Sequence, residues 1–467
     1  MRQPSCVVIG AGLAGLAAAY RLTRKHWKVT VVEAQERLGG RVLSHRFDGA
    51  CSLVCELGGE WIGDDHKQMK GLCEKFKLRL MKHRYAYSFW GSKPKPEFYA
   101  PGAWPLSATA ERCFGEIRRE FKGGQKRRSY VRELDKLDWW TKLQLSGFQE
   151  SDLLKRDLMD STDFGETIRQ TSAYVGAAEY FGSPGVRADK TDEMDYKIEG
   201  GNDRLVDALA DAIGLDNIRT NFKVKRIRQS RGLVEVFTDE NDSADGQYCI
   251  CTVPAHYLRN IRWQGGAPRE QLYAARQLQY ARITKTAVLC EKRFWPNPPN
   301  GGFSIFTSLA SDFCFDSTYK QGGAPGILCS YAVGDKADDI ASSPLHDLGK
   351  WIAGDVAMAF GKKKRRVKVL DVERQAWQSV QDDPYTGGAY AFYRCGQWLT
   401  VLPALSKPHK RVYFAGEHLS ENWQGFMEGA VETGQDVADA LAKKVRWGKR
   451  RARGRKPGRR NLGRRRG

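Results

Sequence analysis

The feature that most constrains this chain is the segment CVVIGAGLAGLAAAYRL at residues 6–22. Four apolar residues precede a glycine-rich turn and an alanine-rich run follows it, so the segment predicts a buried strand, a tight turn and a helix. Gly10, Gly12 and Gly15 have the spacing G-x-G-x-x-G. These glycines permit the turn, the close approach of a diphosphate and the packing of helix on strand. The segment therefore predicts a dinucleotide at the N-terminus of the helix.

The next residues extend this predicted dinucleotide site. A second strand, KVTVVEA, is expected after the helix and ends at Glu33. An acid at that point is placed to accept a hydrogen bond from a ribose hydroxyl. Leu13 and Ala14, in the first turn of the helix, are further expected contacts. The stretch AQERLGGRV then adds a glycine pair and Arg41, which can hold the far side of a diphosphate.

Three segments together point to a known family. Residues 33–41 resemble the ExxxRxGGR stretch of FAD enzymes in the amine oxidase superfamily. CELGGEWIG, at 55–63, is similar to the next segment of that family, which passes the flavin ring. Residues 411–441, beginning RVYFAGE, are similar to its closing FAD segment. From this combination the chain is identified as a member of the flavin-containing amine oxidases, which include monoamine, polyamine and L-amino acid oxidases. The resemblance implies FAD rather than NAD.

The resemblance also implies which residues contact FAD. A backbone position at Val224 is expected near the adenine, and Glu417 is placed to bond the ribityl or diphosphate region. The helix after Glu417 is expected to stabilise negative charge on the flavin ring through its N-terminus. The complete set of expected contacts is Gly10, Gly12, Leu13, Ala14, Gly15, Glu33, Arg41, Gly58, Gly59, Glu60, Trp61, Val224, Gly416, Glu417, Gly425, Phe426 and Met427.

The fold implied by the resemblance is α/β, with a Rossmann-like FAD-binding domain that is split in sequence and an α+β substrate-binding domain. The substrate domain is expected to contain an antiparallel sheet flanked by helices. The FAD-binding domain is expected to comprise 1–82, 197–275 and 383–442. The substrate-binding domain is expected to comprise 83–196 and 276–382.

Several positions carry the expected chemistry. Lys285, in the apolar run ITKTAVLC, matches the lysine that family members place near flavin N5 through a water; the alternative is a partly exposed lysine at a sheet edge. Ala389 stands where monoamine oxidases have a cysteine linked to the ring, so FAD is expected to be noncovalent. Tyr390 and Phe426 match the two walls of an aromatic cage, although either ring could belong to an ordinary core. Trp61 is the third expected substrate contact.

The implied reaction is the oxidation of a mono-, di- or polyamine. A hydride equivalent passes to flavin N5, an imine or aldehyde and ammonia or an amine are released, and dioxygen is reduced to hydrogen peroxide. L-amino acid oxidases usually present an arginine just after the LGG element, where this chain has Glu60 and Trp61. An acid there opposes a carboxylate and favours a cationic amine. An L-amino acid, tryptophan included, stays the alternative, since Arg187, Arg282 or Arg394 could supply the cation.

Positive charge is concentrated at the C-terminus. The chain has a formal net charge of +21, and fourteen basic and no acidic residues lie between Lys443 and Gly467. We expect residues 443–467 to be a disordered basic tail that contacts a polyanion, either nucleic acid or an anionic membrane, or that only solubilises the protein. A flavin scaffold that binds nucleic acid, with weak catalysis, is therefore a further alternative. The basic run at 362–368 resembles a nuclear localisation signal, but a solvated loop is expected there.

Composition limits the remaining possibilities. No stretch reaches the roughly 18 apolar residues of a membrane helix, and the glycine-rich start does not resemble a signal peptide. A cytoplasmic protein is expected, or a nuclear one in a eukaryote. The 11 cysteines show no zinc-binding spacing, so no metal site is predicted. Cys249 and Cys251 are expected to be core thiols.

Overall fold

The computed structural model describes residues 3–48, 53–83, 85–89, 97–99, 105–182, 194–296, 302–363, 366–377 and 385–454. The strands in this part of the chain are β1 Ser5–Ile9, β2 Lys28–Val32, β3 Ser44–Arg46, β4 Val54–Glu56, β5 Leu80–Lys82, β6 Tyr85–Phe89, β7 Glu97–Tyr99, β8 Tyr196–Ile198, β9 Ile218–Arg219, β10 Arg226–Ser230, β11 Leu233–Phe237, β12 Ser243–Gly246, β13 Tyr248–Cys251, β14 Arg262–Gln264, β15 Gln279–Tyr280, β16 Ile283–Cys290, β17 Gly302–Phe306, β18 Phe313–Asp316, β19 Gly326–Val333, β20 Val369–Trp377, β21 Ala391–Phe392 and β22 Val412–Phe414. The α-helices are α1 Leu13–Thr23, α2 Lys67–Lys75, α3 Ala108–Gly124, α4 Arg128–Asp135, α5 Trp139–Leu145, α6 Glu150–Phe164, α7 Ala173–Phe181, α8 Asp203–Ile213, α9 Arg269–Ala274, α10 Asp335–Ser342, α11 Leu345–Ala359, α12 Val401–Ser406 and α13 Met427–Gly454. Shorter 3-10 helices span Leu215–Asn217, Ala255–Asn260 and Glu417–Leu419.

The first sheet has the predicted dinucleotide-binding topology. Its strands run parallel in the order β22-β13-β1-β2-β9. Helix α1 packs beside α13 and α8, and the apolar core there includes Val8, Leu16, Ile250 and Val431. Because these strands come from segments far apart in the chain, the sheet is assembled from separate parts of the sequence, as the resemblance implied. The residue boundaries of the two domains stay a prediction.

The second sheet has seven strands in the described part of the chain. Its order is β20-β16-β19-β18-β17-β6-β7. Neighbouring strands are antiparallel, as expected, except that β6 and β17 run parallel. Helices α10 and α11 pack on it through a core that includes Val288, Ile305, Leu328 and Ile352. Helix α6 meets the sheet through Met159, which packs with aromatic residues of β17 and β18.

Several other elements agree with local patterns in the sequence. The alternating stretch after α8 forms the hairpin β10–β11, and Val224 lies just before it. The thiols of Cys249 and Cys251 are buried in β13, as expected. Within the run at 362–368, the described residues Lys362, Lys363 and Arg366 are exposed between α11 and β20; 364 and 365 lie outside the described residues.

The C-terminal tail differs from its prediction. Helix α13 continues to Gly454, so residues 443–454 are helical rather than disordered. Ala438, Leu441 and Ala442 are buried near its middle, and this packed turn allows the helix to propagate through lysine, arginine and alanine, which are good helix formers. Residues 455–467 lie outside the described residues. No helix in the described part of the chain is long and apolar enough to cross a membrane.

Candidate active site

A cavity of about 830 Å³ is lined by residues of both sheets and of the helices around them. Every predicted FAD contact lies on its wall except Gly15. A Cβ atom on Gly15 would lie 1.9 Å from the carbonyl oxygen of Gly10. Gly15 therefore serves the close packing of α1 on the turn and does not line the cavity, and its contact with FAD stays a prediction. The third glycine of the motif has this packing role in general.

Two glycine turns form one end of the cavity. Gly10 has a positive φ of +100°, and Gly39 donates a backbone hydrogen bond to Ala11 at 2.9 Å. A Cβ on Gly12 would meet only the Gly39 oxygen, at 3.8 Å, so that side of the turn faces open space. No side chain caps the N-terminus of α1, and its first turn contains no acid. An uncapped helix N-terminus beside open space suits a diphosphate, so the residues present fit a dinucleotide.

Glu33 and Val224 lie on the cavity wall near these turns. Glu33 follows the last residue of β2, and its carboxylate accepts from the backbone N–H of Ala11 at 2.7 Å and of Gln35 at 2.9 Å. Each carboxylate oxygen has a second lone pair. Glu33 is thus oriented by the backbone and keeps the capacity to accept from a ribose hydroxyl, as predicted.

Arg41 and Glu417 form an ion pair on the cavity wall, in which Glu417 is buried and Arg41 is half-buried. Arg41 donates to Glu417 Oε1 and to the Ala389 carbonyl, each at 2.8 Å. Glu417 also accepts from the backbone N–H groups of Ala391 and Gly425. The hydrogen bonds of Glu417 therefore join three segments of the cavity wall, those of Arg41, Ala391 and Gly425. The sequence predicted only a contact of Glu417 with the ribityl or diphosphate region, and not this structural role.

Lys285 lies on the cavity wall within the fully buried strand β16. Its ammonium donates to the carbonyls of Glu56 at 2.9 Å and Gly58 at 3.0 Å, and to Glu60 Oε2 at 2.5 Å. An ammonium has three donors, so all of them are used. Burial lowers the pKa of Lys285, but the Glu60 carboxylate outweighs burial and raises it. The alternative that Lys285 is a partly exposed lysine at a sheet edge is therefore wrong. In this arrangement the Lys285 ammonium also has no hydrogen left to donate to the predicted water beside the flavin.

A second lysine, Lys197, completes a buried charge cluster around Glu60. Its ammonium donates to Glu60 Oε1 at 2.5 Å and lies 4.2 Å from the centre of the Trp61 ring. Burial alone would raise the pKa of Glu60, but the two ammonium groups hold it below its usual value. The Lys197–Glu60–Lys285 cluster thus carries a net positive charge. The sequence-based argument that Glu60 repels a substrate carboxylate is wrong, because that charge is already compensated.

The three predicted substrate contacts line the same cavity. Trp61, Tyr390 and Phe426 all lie on its wall. The Tyr390 hydroxyl donates to the Thr162 carbonyl at 2.8 Å and lies 3.0 Å from the hydroxyl of Tyr331. Tyr331, which sequence reasoning missed, makes the cage a tyrosine pair on one side.

Charged residues of α3, α6 and α7 also line the cavity, and sequence reasoning missed them. They are Arg118, Asp163 and Glu179. The Asp163 side chain is open to the cavity, but the surrounding protein reduces its hydration, and this desolvation together with the nearby Glu179 raises its pKa to about 8. One sequence signal was available: Asp160 and Asp163 stand three apart and so share one face of a helix.

Of the arginines considered for an amino acid carboxylate, Arg282 and Arg394 do not line this cavity. Arg282 is paired with Glu166, Asp335 and Asp338, and Arg394 is exposed away from it. Arg187 lies outside the described residues.

A Rossmann-like sheet and a glycine cradle that opens into an aromatic chamber define a dinucleotide-dependent oxidoreductase. The chain belongs to the flavin containing amine oxidoreductase family, whose model matches residues 13–442. The predicted family, fold class and FAD cofactor are thereby confirmed. No residue that lines the cavity in the described part of the chain is a cysteine, which agrees with noncovalent FAD.

The comparisons give two kinds of relative. The L-amino acid dehydrogenase of Synechocystis sp. is 24% identical over 93% of this chain and 94% of its own length. L-amino acid oxidase Bs29 of Bothriechis schlegelii is 25% identical over 92% of this chain and 89% of its own length. Putrescine oxidase bound to putrescine has a TM-score of 0.81 and 21% identity, covering 95% of this chain and 99% of that one. Cyclohexylamine oxidase from Brevibacterium oxydans IH-35A has a TM-score of 0.81 and 21% identity, covering 95% of this chain and 100% of that one. The structural likenesses show the fold.

Proposed function

We propose that the protein oxidises a small-molecule amine to an imine, with dioxygen as the final electron acceptor. The observation that carries this proposal is the single cavity that joins the glycine cradle to Tyr390, Phe426 and Trp61. A cofactor held at the cradle would therefore share one cavity with the substrate. Bound FAD supplies the two-electron oxidation, and with dioxygen and water the balance is one amine to one aldehyde, one ammonia and one hydrogen peroxide.

The protein's own contribution is positioning and exclusion of water. The aromatic walls desolvate an amine, which favours its neutral form. Tyr390 is fixed through its hydroxyl by Thr162 and Tyr331, so its ring is held rigidly at the wall. Lys285 holds the backbone of Glu56 and Gly58 in place, and this fixes the segment that carries Trp61. Pre-organisation of this kind lowers the entropic cost of reaching a reactive geometry.

Oxidation of an L-amino acid is the second candidate. Arg118 lies on the cavity wall, and the Lys197–Glu60–Lys285 cluster places net positive charge behind that wall. Either feature suits a carboxylate. The relatives named L-amino acid dehydrogenase and L-amino acid oxidase point to the same class.

The test is a panel of primary amines, diamines and L-amino acids with the purified holoenzyme. Loss of the oxidised flavin absorbance under nitrogen reports the first half-reaction, and a peroxidase-coupled assay reports hydrogen peroxide. Bleaching by amines with peroxide release supports the proposal. Bleaching by L-amino acids alone selects the second candidate. Bleaching without reoxidation in air refutes dioxygen as acceptor, and no bleaching by any compound refutes both candidates.

Contact of the basic tail with a polyanion is a separate proposal. The sequence of 443–467 supports it by its charge, and residues 443–454 supply that charge on a helix. Its test is given among the predictions below.

A further inference from the structure

The cavity wall at 58–61 belongs to an irregular segment that distant side chains hold in place. Residues 57–61 follow β4 and form neither helix nor strand. Every backbone carbonyl from 56 to 60 nevertheless accepts a hydrogen bond from a side chain between 142 and 320 residues away, and the donors are Lys285, Trp377 and Asn202. Because no helix or sheet ladder fixes this segment, these three side chains set its path.

Asn202 spends both of its side-chain N–H donors on this wall. Its Nδ2 atom donates to the Gly59 carbonyl at 3.0 Å and to the Glu60 carbonyl at 2.9 Å, and an amide nitrogen has two donors. Its Oδ1 atom accepts from the backbone N–H of Ile198 at 3.1 Å. Asn202 is 1% exposed, so bulk water does not reach these groups to replace a lost hydrogen bond.

The place of Asn202 in the fold shows that the wall contact replaces a common alternative. Asn202 directly precedes α8, where an asparagine side chain usually accepts from the first N–H groups of the helix and stabilises it. Asn202 makes no such bond among the described residues. The first N–H of α8, on Asp203, donates instead to Ser44 Oγ at 3.2 Å, and the backbone N–H of Asn202 donates to Glu56 at 2.9 Å. The side chain of Asn202 is therefore committed to the cavity wall rather than to its own helix.

The two carbonyls that Asn202 holds lie immediately before Trp61. Peptide units are planar, so fixing the carbonyls of Gly59 and Glu60 fixes the direction in which Trp61 leaves the backbone. The same constraint fixes the backbone of Glu60, whose carboxylate is the centre of the Lys197–Glu60–Lys285 cluster. Movement of this backbone would therefore displace both a ring on the cavity wall and the charge behind it.

We propose that Asn202 is a positioning residue for the oxidation reaction, which it serves by holding the Gly59 and Glu60 carbonyls and, through them, Trp61 and the Lys197–Glu60–Lys285 cluster. This inference rests on the proposed function, since it assigns a role in that reaction. Asn202 does not itself line the described cavity, so it acts only through the segment that it holds. A misplacement of about 1 Å in a reacting site can cost about 100-fold in rate.

The test compares Asn202→Ala with a matched control at the other end of α8. The side-chain amide of Asn217, which follows α8, donates to the Ile213 carbonyl at 2.9 Å, so Asn217→Ala removes the same kind of hydrogen bond away from the cavity wall. Both holoproteins are reduced under nitrogen by whichever of benzylamine, 1,4-diaminobutane and L-phenylalanine bleaches the wild type fastest. In Asn202→Ala we expect normal FAD content and a limiting rate of flavin reduction about 10- to 100-fold lower. In Asn217→Ala the limiting rate should be unchanged.

A second readout does not depend on turnover. Hydrogen–deuterium exchange of the backbone amides at 57–62 should be faster in Asn202→Ala than in the wild type and unchanged in Asn217→Ala, because exchange reports local opening of the backbone. Asn202→Ser keeps one hydroxyl donor and should fall between the wild type and Asn202→Ala in both measurements. It also replaces Asn202→Ala in the test if that variant does not fold.

An unchanged limiting rate in Asn202→Ala, or an equal fall in Asn217→Ala, overturns the inference while the proposed function stands. Loss of FAD from both Asn202 variants, with FAD retained by Asn217→Ala, overturns it in favour of a role in holding the cofactor. If none of the three compounds bleaches the wild type, the proposed function fails and exchange decides the inference. Faster exchange at 57–62 in Asn202→Ala alone then supports the hold of Asn202 on the wall, and unchanged exchange overturns it.

Discussion

Replacing either lysine of the buried cluster tests which of the two belongs to the active site. Glu60 is bonded at 2.5 Å to both Lys197 and Lys285, and the three side chains are 2–6% exposed. Lys197→Met and Lys285→Met each leave Glu60 with a single cation. Loss of one partner of a buried ion pair costs about 3–5 kcal/mol of unfolding free energy. We expect a loss in this range for both variants.

Lys285→Met should be the less stable of the two variants. It also removes the donor to the Glu56 and Gly58 carbonyls, and an unsatisfied buried acceptor costs about 1–3 kcal/mol. Lys197 makes no such backbone bond among those described. Urea unfolding of the holoproteins at one protein and FAD concentration measures the difference. Equal stability of Lys285→Met and the wild type would contradict the cluster.

Activity should separate the two lysines further. Lys285 lies on the cavity wall and Lys197 does not. Lys285→Met should retain FAD but slow flavin reduction by the substrate, reoxidation by dioxygen, or both, by about 10-fold or more, which is at least about 1.4 kcal/mol of barrier. Lys197→Met should slow either step less than Lys285→Met does. Anaerobic stopped-flow reduction and separate mixing with oxygen, at a temperature where both variants are folded, give these rates. Equal slowing in the two variants, or unchanged rates in Lys285→Met, would remove Lys285 from the reaction.

Four further predictions concern the cofactor, the acid and the tail. Gly12→Val fills the open side of the glycine turn, so the purified variant should lack FAD absorbance; normal FAD content would contradict the cradle. Because Ala389 offers no nucleophile, acid denaturation should release all FAD into the filtrate, and flavin fluorescence on the denatured polypeptide would show a covalent bond. Because the pKa of Asp163 is raised, its carboxyl group in the ligand-free folded state keeps a proton between about pH 4 and 8, whereas the unfolded state has lost it. Asp163 therefore lowers the free energy of unfolding as pH rises through that window. The change in Tm caused by Asp163→Asn should be more favourable at pH 8 than at pH 5, and an equal change at both pH values would refute the raised pKa. Deletion of residues 446–467 keeps the hydrogen bond from Lys444 to the Tyr413 hydroxyl, so it should leave turnover unchanged while it abolishes retention on heparin at low salt. Binding of the full chain to heparin should fall steeply with salt. Equal retention of the full and the truncated chain would place the basic surface elsewhere.

The sequence by itself determined the cofactor end of the protein. The strand, glycine turn and helix at the start, the acid after β2 and the hairpin after α8 all depend on short-range backbone requirements. A glycine spacing fixes where a chain can turn, and an apolar period fixes which face is buried. These local rules predicted the cavity position of Gly12 and Glu33, and the family resemblance implied that of Val224. The same rules assigned Gly15 to FAD, because glycine spacing alone does not show whether a glycine lines the cavity or packs against the turn.

Only the tertiary structure decided the charges around the substrate. Glu60 read as a free acid, but Lys197 and Lys285 reach it from 137 and 225 residues away. Asp163 had no sequence-based assignment, and the packing of the end of α6 against Tyr390 places it on the cavity wall. The effective charge of a buried group depends on which partners fold against it, and no local pattern records those partners. The sequence therefore determined the glycine turns that open on the cavity, while long-range packing decided which acids line it.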